Sequence, residues 1–157
     1  MTRTVIVVED DKEEQEKARK VFENMGYRVV VAGSYEEFQN KARQFNCFRD
    51  VSSGGKEIYC ENNPDFPEDK KTGELVDCIV TDLTFPAGPP GSEIGDFGFA
   101  VLARAAKLGV PCYICTNSEH HGPSGKRRLI EEMMKITGGL VTQYSYKKQW
   151  ASFILVS

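Results

Sequence analysis

The chain has 157 residues, 40% of them hydrophobic and 27% charged, which suits one domain with its own core and is too apolar for a disordered chain. A net charge of −3 argues against a nucleic-acid footprint, which needs a basic surface. No stretch approaches the ~20 apolar residues of a membrane span, and the run Val5 to Val8 is too short for a signal-peptide core. The chain is therefore expected in the cytoplasm. Five cysteines, Cys47, Cys60, Cys78, Cys112 and Cys115, make an odd number, which suits reduced thiols in a cytosol.

Thr4 to Val8 is a β-branched run that stops at Glu9-Asp10-Asp11; it predicts a strand buried on both faces. From Asp11 to Met25 the apolar residues Ala18, Val21, Phe22 and Met25 recur at helical spacing. Asp11 is placed to cap that helix, and Gly26 to end it. Tyr27 to Ala32 predicts a second strand. Ser34-Tyr35-Glu36-Glu37 has the capping-box pattern, which predicts a helix from Tyr35 to about Phe45.

Phe48 to Glu74 breaks the rhythm with Ser-Ser-Gly-Gly, two prolines and a charged run. It reads as a long inserted loop, with a short hairpin around Lys56 to Cys60. Loops longer than about 12–15 residues are uncommon without a function. The rhythm resumes with a third strand, Val76 to Thr81, ending at Asp82. A second irregular piece, Phe85 to Gly95, contains three prolines. Then come a helix over Phe97 to Leu108, a strand over Val110 to Cys115, a helix over Gly125 to Ile136 and a strand over Leu140 to Tyr146. Gln149 to Val156 leaves room for about two turns of a last helix, at 3.6 residues per turn.

Strands alternating with helices imply βα units and a parallel sheet. The expected architecture is one α/β domain over 1–157. It is a doubly wound, five-stranded parallel sheet in three α/β/α layers, with an insertion at about 48–74. In such sheets ligands bind outside the carboxyl ends of the strands. Those ends carry Glu9, Asp10 and Asp11, then Asp82, then Thr116, Asn117 and Ser118, then Lys147 and Lys148. Clustered carboxylates repel one another. A hard cation such as Mg²⁺, which binds one or two carboxylates together with water and phosphate, relieves that repulsion. A lysine and a threonine hydroxyl add donors for phosphoryl oxygens. The constellation suits phosphoryl transfer to Asp82.

The pieces VIVVEDD at 5–11, VDCIVTDLTFP at 76–86, DFGFAVL at 96–102, VPCYICTN at 110–117 and YKKQW at 146–150 resemble the response-regulator receiver domains of two-component signalling. The resemblance implies a flavodoxin-like strand order, 2-1-3-4-5. It implies that Glu9 and Asp10 hold Mg²⁺ together with Asp82, the phosphoacceptor, and that Thr84 lends its backbone carbonyl. Thr116 would be the hydroxyl residue that contacts the phosphoryl group, and Tyr144 the aromatic switch. Lys148 is favoured as the site lysine by its distance to Trp150; Lys147, by its distance from Tyr144, is the alternative. The implied partners are a histidine kinase or phosphotransfer protein and a downstream protein target, with no nucleic acid and no membrane. A stand-alone receiver would signal by protein contact and would not be a conventional enzyme.

The sequence departs from the family pattern at several places. No proline follows either lysine, Asn117 replaces the usual small residue, the loop after Asp82 is enlarged, and the last helix is short. These departures keep a rival reading open: a non-phosphorylated binding module acting through its two enlarged loops. A phosphohydrolase with an aspartyl intermediate is weaker, because Thr84 stands where such enzymes need a second acid. Cys112-Tyr113-Ile114-Cys115 has CxxC spacing, and His120 and His121 follow. Residues three apart on a strand point to opposite faces, however, so buried thiols are expected there and not a zinc or redox site. The two histidines are expected in an exposed loop.

Overall fold

The computed structural model describes residues 3–45, 47–50, 57–60, 76–108, 110–116, 126–136, 141–145 and 149–152. Five strands form a parallel array: β1 (Arg3–Val8), β2 (Tyr27–Ala32), β5 (Val76–Thr81), β8 (Cys112–Cys115) and β9 (Val141–Ser145). The order across the sheet is β2-β1-β5-β8-β9, the order that the resemblance to receiver domains implies. β1 and β5 lie at the centre. Val5, Ile6, Val7 and Val8 have no exposed surface, and every residue of β5 is buried. A strand covered on both faces needs an unbroken apolar run, and Thr4 to Val8 supplies one.

Alternation along the strands divides the core in two. Ile6, Val8, Ile79, Cys112 and Ile114 pack on one face with helix α2 (Tyr35–Phe45), helix α3 (Gly98–Leu108) and Ile130 of helix α4 (Lys126–Ile136). Val5, Val7, Cys78, Val80, Tyr113 and Cys115 pack on the other with Ala18 and Phe22 of helix α1 (Lys12–Asn24) and with Trp150. The result is three layers. Cys112 and Cys115 fall in opposite clusters, as strand geometry requires, and both are buried.

The helix starts follow their local sequence. Asp11 caps α1 by accepting from the Glu14 amide at 3.2 Å. Gly26 closes the helix at a φ of 91°, in the left-handed region that glycine enters without steric cost. At α2 the Ser34 hydroxyl accepts from the Glu37 amide at 3.1 Å, and the Glu37 carboxylate reaches back to the Gly33 amide at 2.8 Å. Both halves of a capping box are present, with the return bond one residue further upstream than in the standard form.

Both irregular segments contain more order than the sequence pattern predicts. β3 (Cys47–Asp50) and β4 (Glu57–Cys60) pair antiparallel, so the expected hairpin begins earlier than Lys56. β3 also joins the main sheet, pairing parallel with β5 at Phe48 and Val76. The rest of the insertion, 51–56 and 61–75, lies outside the described residues. The segment after Asp82 is a second hairpin, β6 (Phe85–Pro86) against β7 (Ile94–Gly95). It is closed by the Ala87 amide on the Glu93 carbonyl at 2.8 Å and the Ser92 amide on the Pro89 carbonyl at 3.0 Å. The hairpin docks on α2: the Glu36 amide donates to the Ala87 carbonyl at 2.9 Å, and Phe97 stacks on Tyr35 at 5.8 Å. After β9 the chain makes a 3-10 turn over Trp150–Ser152; residues 153–157 lie outside the described residues.

Candidate functional site

One row of partners crosses all five parallel strands: Ala32, Val8, Thr81, Ile114 and Tyr144. The chemistry-bearing residues stand one or two positions beyond it. Glu9 follows Val8, Asp82 follows Thr81, and Thr116 is two past Ile114. The strand ends are tied together by backbone bonds, Glu9 amide to Ala32 carbonyl at 3.0 Å and Asp82 amide to Val8 carbonyl at 2.9 Å. In-register strand ends thus convert residues far apart in sequence into one edge.

Glu9, Asp10 and Asp82 each bring a carboxylate oxygen to within 4.8 Å of the others. Asp10 is exposed, whereas Glu9 is 1% exposed and Asp82 5%. Two nearly buried carboxylates beside a third need a positive partner or hydrogen-bond donors. Local donors hold them in place. The Asp11 amide donates to Glu9 Oε1 at 3.1 Å, and Leu83 donates its amide to Asp82 Oδ1 at 2.7 Å. Gln15 Nε2 donates to the Glu9 carbonyl at 2.6 Å, binding the first turn of α1 to the acidic corner. The donor set is all oxygen, which fits a hard cation such as Mg²⁺.

Thr116 is fully buried just past β8. The hydroxyl of Thr84 donates to Asp96 Oδ1 at 2.9 Å, so the β6–β7 hairpin returns an acid to the position two residues after Asp82. Sequence reasoning missed that acid, because the two residues meet only when the hairpin closes. Gly98 marks a close approach. A Cβ there would collide with the Asp82 carbonyl oxygen and lie 2.6 Å from Leu83 Cα. Its amide donates to the Leu83 carbonyl at 2.9 Å, fixing the start of α3 against the backbone that carries Asp82.

Tyr144 lies on β9, paired with Ile114. Lys147, Lys148, Asn117, His120 and His121 lie outside the described residues. Trp150, which entered the sequence reading only as a spacing marker, is 3% exposed. Its Nε1 donates to Glu14 Oε2 at 2.8 Å, and its ring meets Phe22 edge-on, with centroids 6.3 Å apart. The chain past the lysines is therefore clamped to α1. No periodicity signals a contact between residues 136 positions apart.

No protein-family model and no curated protein matches the sequence. Solved structures do resemble it. The chemotaxis response regulator CheY4 of Vibrio cholerae aligns with 97% of this chain and 94% of its own, at a TM-score of 0.54 and 14% identity. The fold is that of a response-regulator receiver domain. A two-component response regulator from Clostridium difficile gives a TM-score of 0.52 at 14% identity, covering 93% of this chain and 84% of its own. A CheY-like receiver domain protein from Methanospirillum hungatei gives 0.52 at 15%, covering 92% and 80%. The receiver fold accounts for the strand order. Its open end, beyond the carboxyl ends of β1 and β5, is where the acidic cluster lies. Among the described residues no helix is long and apolar enough to cross a membrane.

Proposed function

We propose that this receiver-fold chain accepts a phosphoryl group on Asp82 in a Mg²⁺-dependent step. The observation that carries the reading is the convergence of Glu9, Asp10 and Asp82 within 4.8 Å at the carboxyl ends of the two central strands. An Asp82 carboxylate oxygen attacks the phosphorus of the donor, a phosphohistidine or a small acyl phosphate. The new bond is an acyl phosphate, and the donor's P–N or P–O bond breaks. The Leu83 amide orients the nucleophile. Thr116 and Lys148, or Lys147, contact the phosphoryl oxygens, and Tyr144 is the switch residue. Glu9, Asp10, Asp82 and the Thr84 carbonyl hold Mg²⁺, which when bound neutralises charge on the transferring group. The donor is a histidine kinase or phosphotransfer protein, the setting is cytoplasmic, and the output is contact with a downstream protein. The chain acts on no separate substrate, so it is a phosphoacceptor and not a conventional enzyme.

The closed β6–β7 hairpin favours a second reading, a binding module whose enlarged loops contact a partner without phosphorylation. Intact mass after incubation with acetyl phosphate separates the two. A Mg²⁺-dependent gain of one phosphoryl group supports the phosphoacceptor. No gain in folded protein leaves the binding module.

A further inference from the structure

The five cysteines divide into two groups. Cys78, Cys112 and Cys115 lie on the parallel strands and are buried. Burial pushes the Cys78 and Cys112 thiols far up from their ordinary range, so they are poor nucleophiles at neutral pH. The remaining two, Cys47 and Cys60, are direct cross-strand partners in the β3–β4 hairpin. Directly opposed residues of an antiparallel pair share one face of the ribbon, with Cα atoms about 4.5–5.5 Å apart. That spacing falls inside the range of roughly 4.4–6.8 Å that a disulfide spans. The pair stands at the base of the hairpin, next to Phe48, which pairs with Val76 of β5.

We propose that Cys47 and Cys60 form a reversible cross-strand disulfide that closes the hairpin. The oxidant is a low-molecular-weight disulfide such as oxidised glutathione. One cysteine thiolate attacks it, forming a mixed disulfide and releasing one glutathione thiolate. The other cysteine thiolate then attacks the protein sulfur and releases the second. Two protein thiols are oxidised and one glutathione disulfide is reduced to two thiols. The odd cysteine count is thereby explained as one pair plus three core residues. The link lies at the amino end of β5, whereas Asp82 follows its carboxyl end. Oxidation therefore locks β3 to β4 without occupying the acidic site, and the proposal stands independently of phosphorylation.

The test uses the full chain, incubated with oxidised glutathione, denatured in N-ethylmaleimide and weighed intact. The expected product has lost two hydrogens and carries three maleimide groups. A non-reducing peptide map shows Cys47 joined to Cys60, and dithiothreitol restores five alkylated thiols. In Cys47→Ser, Cys60 carries glutathione and no internal link forms. Five alkylated thiols after oxidation, glutathione retained on Cys47 or Cys60 of the wild type, or a link from either to another cysteine would each overturn the proposal.

Discussion

Gly98→Ala tests the coupling between the start of α3 and the backbone that carries Asp82. The added Cβ meets the Asp82 carbonyl oxygen, Leu83 Cα at 2.6 Å and the Leu83 carbonyl oxygen at 3.0 Å. All three are backbone atoms of a buried segment, so no side-chain rotation relieves the contact. Overpacking of this kind costs about 1–3 kcal/mol, occasionally more. Alanine recovers at most ~1 kcal/mol of helix propensity in a helix interior, and less in a first turn. The net expectation is a loss of about 2 kcal/mol. At roughly 2–4 °C per kcal/mol for a chain of this size, the melting temperature falls by about 4–8 °C. Relief by movement of Asp82 and Leu83 also disturbs the Leu83 amide bond to Asp82 Oδ1. Misplacing a reacting group by about 1 Å can cost a factor of ~100, so phosphorylation by acetyl phosphate should slow at least tenfold at a temperature where the variant is folded. Gly26→Ala is the control. Its φ of 91° makes alanine strained, but nothing lies within 4 Å of the new Cβ. That strain costs about 1–2 kcal/mol, far from the site, and should leave the phosphorylation rate unchanged. Wild-type stability and rate in Gly98→Ala would refute the reasoning. So would equal slowing in Gly26→Ala.

Trp150→Phe removes the indole donor to Glu14 while keeping an aromatic ring beside Phe22; urea unfolding should show a loss of about 1 kcal/mol, and an unchanged midpoint would count against the clamp. Burial raises the ionisation of Cys78, Cys112 and Tyr27 above their ordinary values. Their neutral forms therefore stabilise the fold fully below about pH 8, and that stability is lost as pH rises past the unfolded thiol and phenol values of about 9 and 10. Melting temperatures should hold steady up to about pH 8 and decline above about pH 9, less steeply in Cys78→Ala. Thr84→Val removes the hydroxyl that donates to Asp96. Differential scanning calorimetry should show a loss of about 1 kcal/mol at most, because the bond is exposed.

Where apolar periodicity is local, the fold was legible. The unbroken runs Thr4 to Val8 and Val76 to Thr81 identified the two central strands, and the caps at Asp11 and Ser34 located two helix starts. The convergence of Glu9, Asp10 and Asp82 followed from the rule for strand ends in parallel sheets. The remainder depended on contacts between distant residues. β6 and β7 are two residues each, too short for alternation to register among prolines and glycines. β3 joins the sheet through pairing with β5, which no local signal announces. Asp77 sits within an apolar run, yet it is buried at a bulge between β1 and β5, and its Oδ2 accepts from the Thr4 amide at 2.8 Å. An acid is tolerated there because the bulge leaves a backbone donor without a ladder partner. The Thr84–Asp96 and Trp150–Glu14 bonds depend on tertiary closure in the same way.

The most direct test of the central claim is to locate the acyl phosphate. Protein incubated with acetyl phosphate and Mg²⁺ is reduced with borohydride, which converts a phosphorylated aspartate to homoserine, and its peptides are sequenced by mass spectrometry. The account expects homoserine at position 82, absent without Mg²⁺ and absent in Asp82→Asn. Homoserine at another acid, or none in folded protein, would contradict it.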